Sequence, residues 1–169
     1  SIVTPTYNRS EFLAEAVNSV LGQTYSNFEL LIIDDGSTDD TRELVASYQQ
    51  DPRIRYFYQS NQGQSVARNR GIAESAGDFI CFLDSDNAWL PKKLERSLLE
   101  FQRFPETQVV YGDSILIDEN SAEIGKSTMK RYSGRITANL LKDNFASPTI
   151  SLNVEPINIL DTNDPFCFN

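Results

Sequence analysis

The chain has 169 residues, of which 40% are apolar and 23% charged, a balance typical of one globular domain with a buried core. Its formal net charge of −9 argues against a nucleic-acid partner, since no cluster of Lys and Arg suggests a groove for a phosphate backbone. The chain has no His, so no imidazole can act as a base, a nucleophile or a metal ligand. Its two cysteines lie too far apart to indicate a zinc site or a disulfide scaffold.

Apolar runs and helical spacing predict strands that alternate with helices along most of the chain. Strands are predicted at residues 1–4, 28–33, 54–58, 78–83 and 109–111, then a hairpin of 115–117 with a partner near 124, and a last strand at 149–152. Helices are predicted after Ser10, after the run 37–40, from Gln64 to Ala76, from Pro91 onward, and at 137–142.

Residues that commonly begin or end helices and strands predict the boundaries. Pro5 is expected to end the first strand, and Ser10 to cap the first helix, which Gly22 ends. The run 37–40 resembles a capping box for the second helix, and Gly77 is expected to cap the end of the third.

This alternation predicts an α/β fold with a mostly parallel sheet and helices on both faces. Ligands of such sheets bind beyond the carboxyl ends of the strands. Polar clusters follow four predicted strands in turn, at residues 6–8, 34–35, 61–63 and 84–86. The sequence therefore predicts a polar ligand site along one edge of the sheet.

The strongest single signal is the pair Asp84 and Asp86, directly after the apolar run 79–83. Two nearby carboxylates repel each other, and a divalent cation shared with a ligand's phosphates would compensate them. The alternative is a polar turn near a helix start. Asp34 and Asp35 have a similar alternative, in which they only end a strand ahead of a helix.

Several motifs in a fixed order resemble family 2 glycosyltransferases, which have the GT-A fold. The matching segments are 1–9, 23–25, 28–39, 61–72, 82–86 and 89–95. The resemblance implies inverting transfer of a sugar from a nucleotide-sugar donor, a UDP-sugar, to an acceptor hydroxyl, assisted by Mn²⁺ or Mg²⁺. It also implies a role in cell-surface polysaccharide synthesis and a saccharide or lipid-linked acceptor.

The resemblance also implies roles for individual residues. Asp86 would be the metal ligand, and Asp84 would reach the ribose or the waters of the metal. Asp35 would bind the base, uracil, and Arg68 would approach the nucleotide or hold its helix. The remaining residues matched to the nucleotide site are Pro5, Thr6, Tyr7, Asn61 and Ser85. Tyr7 has the alternative of an aromatic residue at the edge of the core.

The late part of the sequence departs from the family pattern. The expected base is a carboxylate in a Glu-Asp pair well beyond Asp86, and no such pair occurs there; Asn87 also replaces an acid that often extends the motif. The weak candidates for the base are Asp113, Asp161 and Asp164. We therefore predict a GT-A domain over residues 1–152, truncated on its C-terminal side, and an irregular tail over 153–169.

Two other functions remain open from the sequence. One is a nucleotide-sugar-binding module that lacks the segment with the base. The other is a nucleotidyltransferase, which is disfavoured because residues 4–9 contain no Gly for a phosphate loop. We expect a cytoplasmic location, with peripheral attachment to the inner face of the membrane as an option. Basic residues that could meet an anionic membrane are Lys126, Lys130, Arg131 and Arg135, although a solvated face is the more ordinary interpretation.

Overall fold

A computed structural model describes residues 1–118, 122–127 and 151–153 of the chain. The strands are β1 (Ile2–Thr6), β2 (Leu30–Asp34), β3 (Ile54–Tyr58), β4 (Phe79–Phe82), β5 (Val109–Val110), β6 (Ser114–Ile117), β7 (Glu123–Ser127) and β8 (Ser151–Asn153). The helices are α1 (Ser10–Leu21), α2 (Thr41–Ala46), α3 (Gln64–Glu74) and α4 (Lys93–Arg103). The helix predicted at 137–142 and most of the tail lie outside the described residues.

Six of the strands form one sheet in the order β3-β2-β1-β4-β8-β5, and β6 pairs with β7 as a separate hairpin. The pairs among β1, β2, β3 and β4 are parallel, which confirms the predicted α/β class. β8 is antiparallel to both β4 and β5, and nothing in the sequence had indicated its place between them. None of the helices in the described part of the chain is long and apolar enough to cross a membrane.

Alternate residues of the central strands bury opposite faces of the sheet, as the period of a strand requires. Ile2, Leu30 and Ile32 pack with apolar residues of α1, α2 and the start of α4. Val3, Leu31 and Ile33 pack on the other face with Ala67 of α3 and with Ile80. The sheet is therefore covered on both sides, and its polar strand ends are the part left open to a ligand.

Helix α3 lies unusually close to β1. A Cβ at Gly71 would meet the Val3 side chain at 2.2 Å, a separation that packed atoms do not tolerate. The absence of a side chain at Gly71 lets α3 sit directly against the strand. This contact sets the position of the first turns of α3, which carry Gln64 and Arg68.

The prediction that Pro5 ends the first strand is wrong, because β1 continues to Thr6. The carbonyl of Val3 accepts the N–H of Leu83 on the β4 side, so odd-numbered residues of β1 direct their backbone groups towards β4. Pairing with β4 ends at Val3. The missing N–H of Pro5 therefore removes no bond from the sheet.

Three predicted helix caps are also wrong. Ser10 is the first residue of α1, and the second helix begins at Thr41 after an N-cap residue, Asp40, whose side chain makes no cap bond. Both starts are held by one carboxylate, Asp39, as described below. α3 ends at Glu74 with Ser75 as its C-cap, while the N–H of Gly77 donates to the Ser1 hydroxyl oxygen at 2.8 Å. Gly22 does end α1 as predicted.

Candidate functional site

A cleft of about 300 Å³ opens where the loops after β1 and β4 separate, at the carboxyl ends of the parallel strands. Strand order reverses between β1 and β4, and such a switch point is the usual ligand position in open α/β sheets. The cleft is lined by Pro5, Thr6, Tyr7, Arg9, Asp35, Asn61, Gly63, Gln64, Ala67, Asp84, Ser85 and Asp86. All four polar clusters of the sequence therefore contribute to one cavity.

Asp35 lies at the back of the cleft and is only 3% exposed. Its Oδ1 accepts the side-chain N–H of Gln59 at 2.7 Å and the backbone N–H of Gln62 at 3.0 Å. Its Oδ2 accepts the backbone N–H of Gly63 at 2.7 Å. The carboxylate thus holds the loop that leads into α3, and Oδ2 keeps capacity for a further donor.

Close approach of two loops beside Asp35 requires a glycine. Gly36 has a φ of +88°, and a Cβ there would meet the backbone nitrogen of Asn61 at 2.8 Å. A left-handed backbone favours Gly, and the short contact with a backbone atom leaves no room for a Cβ. Gly36 therefore lets the loop after β2 pack against the loop after β3.

The neighbouring Asp34 has a structural role. Its Oδ2 accepts the hydroxyl of Tyr56 at 2.6 Å and its Oδ1 accepts the backbone N–H of Ser37 at 2.8 Å. Burial and the hydrogen bond to Asp34 together raise the pKa of Tyr56 above its ordinary value. For Asp34, the interpretation as a strand-ending turn residue is the one that these contacts support.

Asp84 is half-buried and paired with a cation. Its Oδ1 accepts Nη2 of Arg68 at 2.7 Å and the side-chain N–H of Gln64 at 3.2 Å. The Arg68 guanidinium also lies 5.9 Å from the ring centroid of Phe82, and its Nε is buried with no partner in the described part of the chain. Arg68 thus neutralises one of the two acids after β4, and Oδ2 of Asp84 remains available.

Asp86 differs from Asp84 although only one residue separates them. It is exposed in the cleft, and its carboxylate has no hydrogen bond or ion pair with any residue that the structure describes. The backbone N–H of Asn87 bonds to the carbonyl of Asp84 at 3.0 Å, which makes a tight turn at this point. The turn leaves Asp86 as the free anion of the pair.

Thr6 and Tyr7 line the opposite wall. Thr6 is 3% exposed and its hydroxyl has no partner among the described residues, an arrangement that normally indicates a missing donor or acceptor. Tyr7 is 47% exposed, so about half of its surface is open to solvent beside the cleft. The Tyr7 ring is therefore available to a ligand in the cleft, whereas the Thr6 hydroxyl has almost no accessible surface.

Hydrogen bonds between the loops after β1 and β2 make this wall rigid. Asn8 has a left-handed φ of 51°, its N–H donates to the hydroxyl of Ser37 at 2.9 Å, and its Oδ1 accepts the N–H of Thr38 at 2.7 Å. Oδ2 of Asp39 accepts the N–H of Ser10 at 3.0 Å, and Oδ1 accepts the N–H of Thr41 at 3.1 Å. One carboxylate therefore caps both α1 and α2.

Asp39→Asn should destabilise the fold in a pH-dependent way. Although partial burial tends to raise the pKa of Asp39, the hydrogen bonds from Thr41 and Ser10 outweigh it and lower the pKa to about 2. A depressed carboxyl pKa stabilises the folded state above the unfolded pKa of about 4, and this stabilisation is lost between about pH 4 and about pH 2. After allowance for solvent screening, we expect a loss of about 1 kcal/mol at pH 7.

Denaturant unfolding of the parent and of Asp39→Asn between pH 7 and pH 3 measures this effect. Asp40→Asn is the matched control, because its neighbouring exposed carboxylate makes no cap bond. The difference between parent and Asp39→Asn should shrink at the acid end of the range. A difference of constant size across the range would contradict the argument.

Comparison with known proteins supplies the family. The family model described as glycosyl transferase family 2 matches residues 1–157. The chain belongs to glycosyl transferase family 2. An uncharacterized glycosyltransferase of Rickettsia conorii is 41% identical over 140 residues, which cover 83% of this chain and 22% of that protein.

The chain is also similar to another bacterial protein in sequence and to two solved structures in fold. A protein of Bacillus subtilis named as a putative teichuronic acid biosynthesis glycosyltransferase, TuaG, is 41% identical over 100 residues, or 58% of this chain and 40% of that protein. The crystal structure of S. aureus TarS 1-349 has a TM-score of 0.69 and 24% identity over 90% of this chain and 46% of that one. The mannosyltransferase PcManGT of Pyrobaculum calidifontis has a TM-score of 0.60 and 20% identity, over 66% of this chain and 34% of that one.

These matches confirm the GT-A fold, and the chain spans less than half the length of each of these four proteins. The structures are too distant in sequence to indicate more than the fold. Because the chain spans less than half of each protein, the activity, substrates and partners of the whole protein are given below as proposals.

The structure brings together nearly all the site residues predicted from the sequence. Pro5, Thr6, Tyr7, Asp35, Asn61, Asp84, Ser85 and Asp86 all line the cleft, while Arg68 reaches it through Asp84. Asp113 is exposed after β5 and does not line the cleft, and Asp161 and Asp164 lie outside the described residues. Their part in catalysis stays a prediction.

Four lining residues were not predicted as site residues: Arg9, Gly63, Gln64 and Ala67. Gly63 belongs to a polar cluster that the sequence did indicate, and Gln64 directly follows that cluster. Ala67 is one helical turn beyond Gly63, a spacing that could have placed it on the same side of α3. For Arg9 the available signal was its position directly after the first polar cluster, which ends at Asn8.

Proposed function

We propose that this family 2 protein binds a UDP-sugar with Mn²⁺ or Mg²⁺ and transfers the sugar, with inversion, to a hydroxyl of a saccharide or lipid-linked acceptor. We place this reaction in the synthesis of a cell-surface polysaccharide. The observation that carries the proposal is a cleft at the switch point with a buried carboxylate, Asp35, at its back and a free carboxylate, Asp86, at its mouth.

Relatives of known structure support a nucleotide-sugar donor. TarS 1-349 has been solved with UDP and with UDP-GlcNAc, and PcManGT with GDP-Man and Mn²⁺. The name of the Bacillus subtilis relative, which refers to teichuronic acid biosynthesis, supports a polysaccharide product. These ligands belong to those structures and the role to that putative name, and the proposal extends both to this chain.

The chemistry of Asp35 fits recognition of a base. Uracil carries one N–H on its pairing edge, and a carboxylate oxygen accepts such a donor strongly. Oδ2 of Asp35 accepts a single bond within the chain, so a further acceptor site remains.

The cleft offers carboxylate oxygens to a metal ion, but too few to complete its coordination. This fits a cation that a bound ligand helps to hold. Mn²⁺ and Mg²⁺ prefer oxygen ligands, and Asp86 with Oδ2 of Asp84 can supply them. No group of three or more acidic or Cys side chains in the described residues could hold a metal by itself. Phosphate oxygens of the donor would therefore complete the coordination, and the cation would neutralise negative charge on the diphosphate.

In the proposed reaction the acceptor oxygen attacks the anomeric carbon from the face opposite the diphosphate. A carbon–oxygen bond forms there, and the bond from the anomeric carbon to the β-phosphate oxygen breaks with its electron pair on the nucleoside diphosphate. The proton of the acceptor hydroxyl passes to a general base. The three acids that line the cleft are assigned to the nucleotide and the metal in this proposal. Asp113, Asp161 and Asp164 therefore stay the predicted candidates for the base.

The position of Asp113 outside the lining of the cleft favours a second candidate, a module that binds the nucleotide-sugar without turnover. Both candidates share the nucleotide site and differ in the base. A transfer assay with a panel of UDP-sugars and simple acceptors separates them. Release of UDP that depends on the acceptor supports the transferase, and binding with no release in any combination supports the module.

The parent chain should bind UDP with a dissociation constant at least about tenfold lower in excess Mn²⁺ than in chelator, because the cation offsets repulsion between the diphosphate and the cleft carboxylates. Isothermal titration calorimetry of UDP under both conditions measures this ratio. GDP titrated in parallel tests the choice of base. Equal affinities with and without metal would remove the cation from the proposal, and tighter binding of GDP would replace uracil.

A further inference from the structure

We propose that Arg9 binds the diphosphate of the donor and takes up part of the negative charge that the departing nucleoside diphosphate acquires. This inference rests on the proposed nucleotide-sugar donor and assigns a residue that the sequence had not singled out as part of the site.

The backbone of Arg9 is held firmly at the rim of the cleft. Arg9 is the N-cap residue of α1, and its carbonyl accepts the N–H groups of Phe12 and Leu13 at 3.1 and 2.9 Å. The preceding residue, Asn8, is tied to the loop after β2 through Ser37. The side chain therefore leaves the wall of the cleft from a fixed point.

The charges that line the cleft give Arg9 its proposed role. Three carboxylates line the cavity, Asp35, Asp84 and Asp86, and Arg9 is the one cation among the lining residues in the part of the chain that the structure describes. Arg68 is close by but is paired with Asp84. A diphosphate entering this cavity meets net repulsion, so a second positive charge beside the metal would have a direct electrostatic benefit.

The guanidinium of Arg9 is also free to make such a contact. It has no hydrogen bond or ion pair with any residue in the described ranges, although the acidic Asp39 lies close enough to accept the N–H of the adjacent Ser10. Asp39 is instead engaged by Ser10 and Thr41. A planar guanidinium binds two phosphate oxygens at once, which the ammonium of Lys cannot do in the same geometry.

The test titrates uridine, UMP and UDP, with Mn²⁺ and with chelator, into the parent, Arg9→Gln and Arg9→Lys. Arg9→Gln should raise the dissociation constant for UDP about tenfold and leave that for uridine within about twofold, because the lost contact is to phosphate. The dissociation constant of Arg9→Lys for UDP should lie between those of the parent and Arg9→Gln, since Lys keeps the charge and loses the planar fork. The loss caused by Arg9→Gln should shrink at high salt.

Arg96→Gln is the matched control, because Arg96 is an exposed cation of α4 outside the cleft with no side-chain partner in the described part of the chain. It should bind UDP like the parent, and thermal unfolding should show all the variants folded. Unchanged UDP binding by Arg9→Gln, or an equal loss for uridine and UDP, would overturn the assignment of Arg9 alone. Failure of the parent to bind UDP with Mn²⁺ would overturn the proposed donor and this inference together.

Discussion

Asp86→Ala should abolish most of the metal-dependent binding of UDP while leaving the fold intact. Losing a residue that merely supports a metal ligand typically costs 10- to 100-fold in metal affinity, so loss of a ligand itself should cost at least about 100-fold. Asp86 is exposed and has no partner among the described residues, so its removal breaks no contact there. Removing one of two neighbouring anions should leave the free energy of unfolding unchanged or slightly higher.

Calorimetry of UDP in Mn²⁺ and in chelator, together with denaturant unfolding, measures both effects. Asp78→Ala is the matched control, because this exposed Asp directly precedes β4 at the opposite edge of the sheet and makes the same change in charge. The control should bind UDP with Mn²⁺ like the parent. If Asp86→Ala also binds UDP with Mn²⁺ like the parent, Asp86 is not the metal ligand.

Asp35→Ala should weaken the binding of the nucleoside itself and also destabilise the fold. A lost charge-assisted hydrogen bond to the base costs about 1.5–3 kcal/mol, or roughly ten- to a hundredfold in uridine affinity with or without metal. The same change removes the acceptor of three donors, from Gln59, Gln62 and Gly63. Since unpaired donors each cost about 1–3 kcal/mol when they stay buried, we expect a loss of about 3 kcal/mol in unfolding free energy.

Two further variants separate the base contact from support of the loop. Gln59→Ala removes one donor and keeps the carboxylate, so it should lower stability slightly and bind uridine like the parent. Asp35→Asn keeps the size of the side chain and one acceptor oxygen, so it should be more stable than Asp35→Ala and still bind uridine weakly. Uridine binding that Asp35→Ala leaves unchanged would limit Asp35 to its role in the loop.

The fold class and the edge that carries the site follow from local features of the chain. Continuous apolar runs such as 30–33 can only be buried on both faces, which requires a sheet between helices. Polar residues at the ends of those runs must then meet at one edge, because parallel strands end on the same side. The sequence alone therefore places Asp35, Asp84 and Asp86 together, in agreement with the GT-A resemblance.

Predictions from local features were wrong where a group acts through a partner distant in sequence. The rules for caps favoured Ser10 and residues 37–40, yet Asp39 caps two helices because the loops that carry them lie side by side. Pro5 stays within β1 because its neighbour on that side, β4, ends early. Neither arrangement can be derived from one segment alone, since each depends on a neighbouring segment that is distant in sequence.

The sequence by itself determined which residue types gather at the site, because apolar patterning sets the strands and the strands set where the polar clusters fall. Only the tertiary structure decided their separate states. Two acids one residue apart look equivalent in the sequence, but Arg68 from α3 pairs with Asp84 and leaves Asp86 free. Likewise, the antiparallel place of β8 and the position of Arg9 over the cleft come from packing between distant segments, whose energies no local pattern encodes.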